Sequence, residues 1–429
     1  MRNRIYLCLA HMSGNEMQYI KEAFDTNWVV PLGPNVNGFE KDLEDFCGQD
    51  KRVVALSSGT AAVHLALIAC GVGPGDEVLV QSFTFCASSH PITYLGAKPV
   101  FVDSEPDSWN MDPELLEDAI KDRIAKTGRT PKAIVPVALY GMPYRIDRIM
   151  EIADRYGIPV VEDAAEGFGS RFNGQVLGTF GKYGVLSFNG NKMITTSGGG
   201  ALITPDEESW REIMMYATQY RESYPYYQHE KIGYNYRLSN VCAGIGRGQM
   251  TVLEDHIAHH KHVQALYGEL LSDVPGISVH KAPDARFDSN FWLCTITVDP
   301  EVRVKGQENA YKTVVKGAVG GAAGVIHVAD SAVTDCQPND NVEALRVFLD
   351  AAGIEARPVW KPMHKQPVYS GAPAYLRPAN LFGQDEPSVS EAIFKVGMCL
   401  PSGPYVTDDD VRYIVDNIKE ALADYPYSK

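Results

Sequence analysis

The chain has 429 residues, of which 45% are hydrophobic and 22% charged, with a formal net charge of −15. These are the proportions of an ordinary globular protein, and the length suits two to three domains or one large domain with an appendage. The acidic balance argues against a nucleic-acid partner, which needs a basic face, yet leaves room for a locally positive pocket that takes a small anion.

Eight cysteines carry no C-x-x-C pair and read as buried thiols in a reducing compartment. No signal-peptide pattern and no run of 18 apolar residues is visible, so a cytoplasmic protein without membrane insertion is expected.

Residues 1–50 read as an arm: an amphipathic GNEMQYIKEAF, a loop-like NWVVPLGPNVNGF and a short acidic helix EKDLEDFCG. From Lys51 the pattern becomes regular. RVVAL is β-rich, SSGT follows, and AAVHLALIACG is a helical run closed by Gly71. PGDEVLVQ is a turn and a strand, KPVFVDS another strand, and Asp112–Pro113 the cap and first residue of a helix. KAIVPVAL, the helical RIDRIMEIADRYG, IPVVEDAA, YGVLSF and GGALIT continue the series. Strands alternating with helices predict an α/β fold whose mostly parallel sheet is covered on both faces.

A Tyr-rich polar segment (YATQYRESYPYYQHEKIGYNYR) then leads into a helical stretch reaching about Leu270. A smaller α+β region is expected beyond it, with a strand in FWLCTITV, a helix in NVEALRVFLDAAG, and IEARPVWKPMH. Residues 304–340, rich in Gly and Ala, read as an insertion. The predicted division is a large domain over 1–270 and a smaller C-terminal domain over 271–429.

In open α/β sheets, ligands lie beyond the carboxyl ends of the strands. That rule gathers SSGT (Ser57 to Thr60), Asp163 in VVEDAAE, and SFNGNKMITTSGGG (Ser187 to Gly200) with its single Lys192. Taken singly, each has a plain explanation. SSGT caps a helix, Asp163 caps a turn, Lys192 is a solvated charge and Phe85 of QSFTFCAS packs in a core. Together they describe a pyridoxal phosphate (PLP) site. That cofactor needs a lysine for its aldehyde, a carboxylate to keep its pyridine nitrogen protonated, a phosphate cradle at a helix start, and an aromatic face. Lys192 and Asp163 are therefore the candidate catalytic residues, with Lys192 moving the proton between the two carbons.

SSGTAAVHLAL, PGDEVLVQSFTF, AKPVFVDSEPDSWNMD, VVEDAAEGFGS, SFNGNKMITTSGGG, GYNYRLSN and EARPVWKPMH resemble the DegT/DnrJ-type nucleotide-sugar aminotransferases of PLP fold type I, over about residues 5–425. FNGNK with TTSGGG is most similar to the branch that aminates UDP-linked 4-keto-6-deoxy-N-acetylhexosamines. The resemblance implies that Lys192 binds the cofactor aldehyde and Asp163 its pyridine nitrogen. Gly59, Thr60 and Ser187 match phosphate contacts, and Phe85 the stacking ring. Asn235 matches a residue supplied by the neighbouring subunit, which implies a homodimer with shared sites. Glu166 stands near the cofactor ring where relatives carry Gln, His or Glu. Asn189 (where many carry His), Arg237 and His364 are candidate substrate contacts, although a structural ion pair explains Arg237 equally well. Glutamate is the implied amino donor.

Three other readings compete. Sugar 3-dehydratases of the same family typically replace the lysine by His, whereas position 192 is Lys; another nucleotide-linked keto sugar, or a non-catalytic regulatory relative, stays open. SSGTAA does not supply the G-x-G-x-x-G of a dinucleotide-binding fold. GIGRGQ (244–249) looks like close helix packing. The histidines of HIAHHKH could share a helix face, but a solvated helix explains them and no further motif supports a metal.

Overall fold

The structure is a computed structural model, and it describes residues 3–48, 50–311 and 336–422. Most of the expected insertion, 312–335, lies outside the described residues.

Arg52–Leu56, Gly200–Thr204, Tyr183–Ser187 and Val161–Asp163 lie side by side in that order. Ala374–Tyr375, Lys98–Val102, Glu77–Gln81 and Ala133–Val135 form a second row. Parallel bridges Ile134–Val160 and Val137–Asp163 join the rows into one layer. Pairing is parallel throughout the second row and between Val161–Asp163 and Tyr183–Ser187. Gly200–Thr204 alone runs against both its neighbours. The sheet is thus α/β and mostly parallel, and its strands are buried nearly throughout, as coverage on both faces requires.

Three devices shape the ends of this layer. Ser58 caps the Gly59–Ala69 helix, its hydroxyl accepting from the Ala61 amide at 3.0 Å. Asp112 does the same for Pro113–Thr127. The third is close approach at Gly200, where an added Cβ would stand 2.4 Å from the Gly59 amide nitrogen. Only glycine lets that strand back the start of the Gly59–Ala69 helix.

The arm folds into two helices, Glu16–Asp25 and Pro34–Cys47, which pack on Asn240–Met250. The GIGRGQ glycines permit this: a Cβ on Gly246 would meet the Phe39 ring at 2.7 Å, and one on Gly248 the Glu16 Cα at 2.7 Å. The histidines lie on the following helix, Leu253–Leu270, which is half-buried rather than solvated. His256 and His260 face the core, and burial pushes His260 down to about 3, so it is neutral. Among the described residues, no group of three or more His, Cys, Asp or Glu could hold a metal ion.

Beyond it a separate apolar core is built on an antiparallel sheet. Ile277–Val279, Cys294–Val298, Gly397–Leu400 and Arg357–Pro358 lie in that order, covered by Asp340–Ala351 and Asp408–Ala421. No described helix is long and apolar enough to cross a membrane.

Glu16 locks the arm to the large sheet's helices. Burial alone would raise its carboxyl. Hydrogen bonds from Gln249 Nε2 (2.7 Å), the Ser13 amide (2.7 Å) and the Gly14 amide (3.0 Å) reverse the sign and hold it down to about 2. A depressed carboxyl contributes stability above its unfolded value of 4.5 and loses it as pH falls toward 2. E16Q is expected to lower the unfolding free energy by about 2–3 kcal/mol at pH 7. In urea titrations the gap between E16Q and the parent closes as the pH drops below 4.5.

Candidate active site

A cavity of about 380 Å³ opens where the strands of the main sheet end. Ser57 to Thr60, Thr84, Phe85, Ser88, Asp163, Glu166, Ser187, Asn189, Lys192, Gly199, Trp292 and Trp360 contribute to its wall.

Gly59 and Thr60 are the first residues of their helix. The leading amides of a helix have no partner within it, and the dipole there favours an anion. A Cβ on Gly59 would stand 3.1 Å from the Ser187 Cβ, so glycine keeps open the gap between the helix start and the strand end.

Asp163 ends its strand with a buried carboxylate. Burial pushes its carboxyl up, and three groups oppose that rise. The Ser88 hydroxyl donates to Oδ2 at 2.6 Å, the Ala165 amide donates to Oδ1 at 3.1 Å, and the Lys192 charge lies nearby. Glu166, on the next turn, is buried as well. Burial raises it, while Lys192 and the Tyr140 amide (2.7 Å to Oε2) pull it back.

Lys192 stands in the loop between Tyr183–Ser187 and Gly200–Thr204. Its Nζ lies 3.4 Å from Glu166 Oε1 and 4.0 Å from the centroid of the Trp292 ring. Phe85 is half-exposed at the mouth, its ring 5.3 Å from that of Trp360. Asn189 is exposed on the same loop as Lys192.

Three expected residues are not on the cavity wall. Arg237 is buried in an ion pair with Glu40 and donates to the Ala55 carbonyl at 3.0 Å. Both ring nitrogens of His364 are engaged, with Ser82 Oγ at 2.7 Å and Glu391 Oε1 at 3.0 Å. Asn235 is exposed, in an antiparallel bridge with Thr218.

Four residues that line or brace the site were missed. Ser88 lies three residues after Phe85, in the same segment. Tyr140 sits just past the strand Ala133–Val135, where the strand-end rule would have found it. Its backbone is left-handed, φ 53°, a conformation costly to a tyrosine. Its ring stacks on both Trp292 and Trp360. Those tryptophans come from 292 and 360, far along the chain, and no local pattern marks them.

The residues fit PLP. The cavity holds one lysine, one buried carboxylate with a hydroxyl donor, and a glycine-opened helix start, which are the donor types that cofactor needs.

The DegT/DnrJ/EryC1/StrS aminotransferase family matches residues 10–322 and 322–419. EpsN of Bacillus subtilis (strain 168), assigned as a pyridoxal phosphate-dependent aminotransferase, is 41% identical over 97% of this chain and 95% of its own. The GDP-perosamine synthase of Caulobacter vibrioides is 34% identical over 98% of both. The crystal structure of a DegT DnrJ EryC1 StrS aminotransferase from Brucella abortus superposes with a TM-score of 0.78, at 29% identity, over 95% of both chains. The chain belongs to this family. It is a PLP-dependent sugar aminotransferase with the fold of the type I PLP enzymes.

Ser88 is the only side-chain hydroxyl bonded to Asp163 among the described residues. A hydrogen bond to a charged group contributes about 1.5–3 kcal/mol. S88A is therefore expected to weaken PLP binding about tenfold or more, read by titrating stripped protein with cofactor and following absorbance.

Proposed function

We propose that this family member moves an amino group from glutamate to carbon 4 of a UDP-linked 4-keto-6-deoxy-N-acetylhexosamine. The product would serve capsule, lipopolysaccharide or glycoprotein glycan synthesis in the cytoplasm. The observation that carries the reading is the meeting of Lys192, Glu166 and Asp163 in one cavity with the Gly59 helix start. The sugar rests on FNGNK with TTSGGG and its likeness to that branch of the family.

When bound, PLP supplies an electron sink for the carbon that carries the amine. The chain's own groups do the rest. Asp163, its carboxylate oxygens bonded by the Ser88 hydroxyl and the Ala165 amide, would hold a proton on the pyridine nitrogen. The amides of Gly59 and Thr60 and the Ser187 hydroxyl bind the phosphate dianion. Phe85 covers the ring. Lys192 Nζ would hold the aldehyde and, as a free amine, would carry a proton between the two carbons that flank the transferred nitrogen. Glu166 orients it, and Asn189 at the rim meets the sugar. Trp292 and Trp360 narrow the mouth, which limits water around the reacting atoms.

Asn235 joins the site from a second copy in this reading. It is exposed, on a segment whose Tyr224, Tyr227 and Ile232 are exposed as well. A GDP-linked keto sugar is the second reading, favoured by the full-length likeness to GDP-perosamine synthase.

Incubation with PLP, glutamate and UDP-2-acetamido-2,6-dideoxy-4-hexulose, followed by NMR, is expected to give a new amine at carbon 4. Cofactor conversion by glutamate without product would reject this sugar and move the test to GDP-linked substrates. K192A is expected to abolish turnover, and a K192A protein of normal activity sinks the mechanism. Co-expressed K192A and N235A chains are expected to recover activity that neither has alone, because one mixed site then holds both side chains. No recovery in mixed dimers separated by affinity tags would place Asn235 outside the partner's site.

A further inference from the structure

Lys192 Nζ occupies a built seat. One side is the Glu166 carboxylate at 3.4 Å and the other is the face of Trp292, with 4.0 Å to its centroid. A cation over an indole is drawn to the negative face of the ring, and more strongly where water is kept away. The lysine side chain is 13% exposed and Trp292 is 1% exposed.

Neither wall of the seat is free to drift. Trp292 Nε1 donates to the Asn191 carbonyl at 2.6 Å, which ties the ring to the lysine's own loop. The Trp292 amide donates to Asn290 Oδ1 at 2.8 Å. Asn290 Nδ2 in turn donates to the carbonyls of Glu166 (3.0 Å) and Phe168 (2.8 Å). The Ser402 hydroxyl donates to the Trp292 carbonyl at 2.8 Å. The ring also stacks on Tyr140, whose amide holds Glu166 Oε2. Ring, carboxylate and lysine loop are cross-braced into one unit.

A lysine bonded to a cofactor has no use for an ammonium seat, because its nitrogen is already fixed. A released lysine has. Its four rotatable side-chain bonds regain their freedom once the nitrogen is let go. We infer that Trp292 is a positioning residue for transamination. Its face, together with Glu166, keeps the freed Lys192 amine beside the reacting carbons while that amine carries the proton. The inference rests on the aminotransferase reading above. The proton taken from one carbon is the proton returned to the other, so the transfer step leaves the freed Lys192 amine with the protons it held before that step.

The test uses the full chain as W292F and W292L. In protein stripped of cofactor, trace labelling with acetic anhydride and peptide mass spectrometry read the accessibility of the Lys192 amine. Labelling of Lys192 is expected to rise about tenfold in W292L, with Lys182 as an unchanged exposed reference. W292F, which keeps a ring face but loses the N–H to Asn191, is expected to fall between. In the reconstituted enzyme, kcat is expected to drop about tenfold with KM for the keto sugar unchanged. The isotope effect from an amino donor deuterated at its α-carbon should grow, because proton transfer then limits the rate.

Parental labelling and a parental isotope effect in W292L overturn the inference. A raised KM at constant kcat also overturns it, since Trp292 is then a wall for the sugar. If W292L does not fold, W292F decides by the same two readouts. Failure of the aminotransferase reading is distinguishable: the parent then aminates no keto sugar, while the labelling arm needs no turnover and still reads the seat.

Discussion

Two carboxylates and one ammonium share a cavity that burial has largely taken out of water. Removing an ion from water costs several kcal/mol unless its partners replace the lost hydration. Each charge here has named partners. Asp163 takes a hydroxyl and an amide, Glu166 an amide and the lysine, and Lys192 a carboxylate and an indole face. Much of the surrounding fold serves to deliver those partners. The strand ending at Asp163, the short helical turn that carries Ser88 and the left-handed turn at Tyr140 all meet at this place. Burial raises both carboxyls, and the partners oppose that rise.

The cavity is a joint product of two regions. The main sheet supplies the helix start, the carboxylates and the lysine. The segments leading into and out of the antiparallel sheet supply Trp292 and Trp360. Tyr140 stacks on both rings, and its hydroxyl oxygen accepts from the Trp360 amide at 2.7 Å. A left-handed tyrosine is tolerated here because its amide, ring and hydroxyl are all engaged, and packing on that scale outweighs a backbone cost of about 1–3 kcal/mol.

Much of the main sheet was legible from composition and order. Continuous apolar runs such as RVVAL and EVLVQ become buried strands because a strand covered on both faces has no polar side to show. The site's polar half was legible for a related reason. Segments that follow the carboxyl ends of the sheet's parallel strands converge, so SSGT, Asp163 and Lys192 could be assembled without coordinates. The reversed strand Gly200–Thr204 was harder, because nothing in GGALIT tells its direction. HIAHHKH misled: only tertiary packing shows that His256 and His260 face inward while His262 meets Asp408 at the surface.

By itself, the sequence determined the alternating fold, the cofactor chemistry and the lysine and carboxylate proposed to bear it. Each of these depends on short-range pattern, on a few residues at a strand end or a helix start. Tertiary structure alone decided the aromatic wall, the bracing through Asn290 and Tyr140, and the withdrawal of Arg237 and His364 into buried ties. Those contacts join residues tens to hundreds of positions apart, and their energies depend on burial and approach that no local stretch of chain encodes.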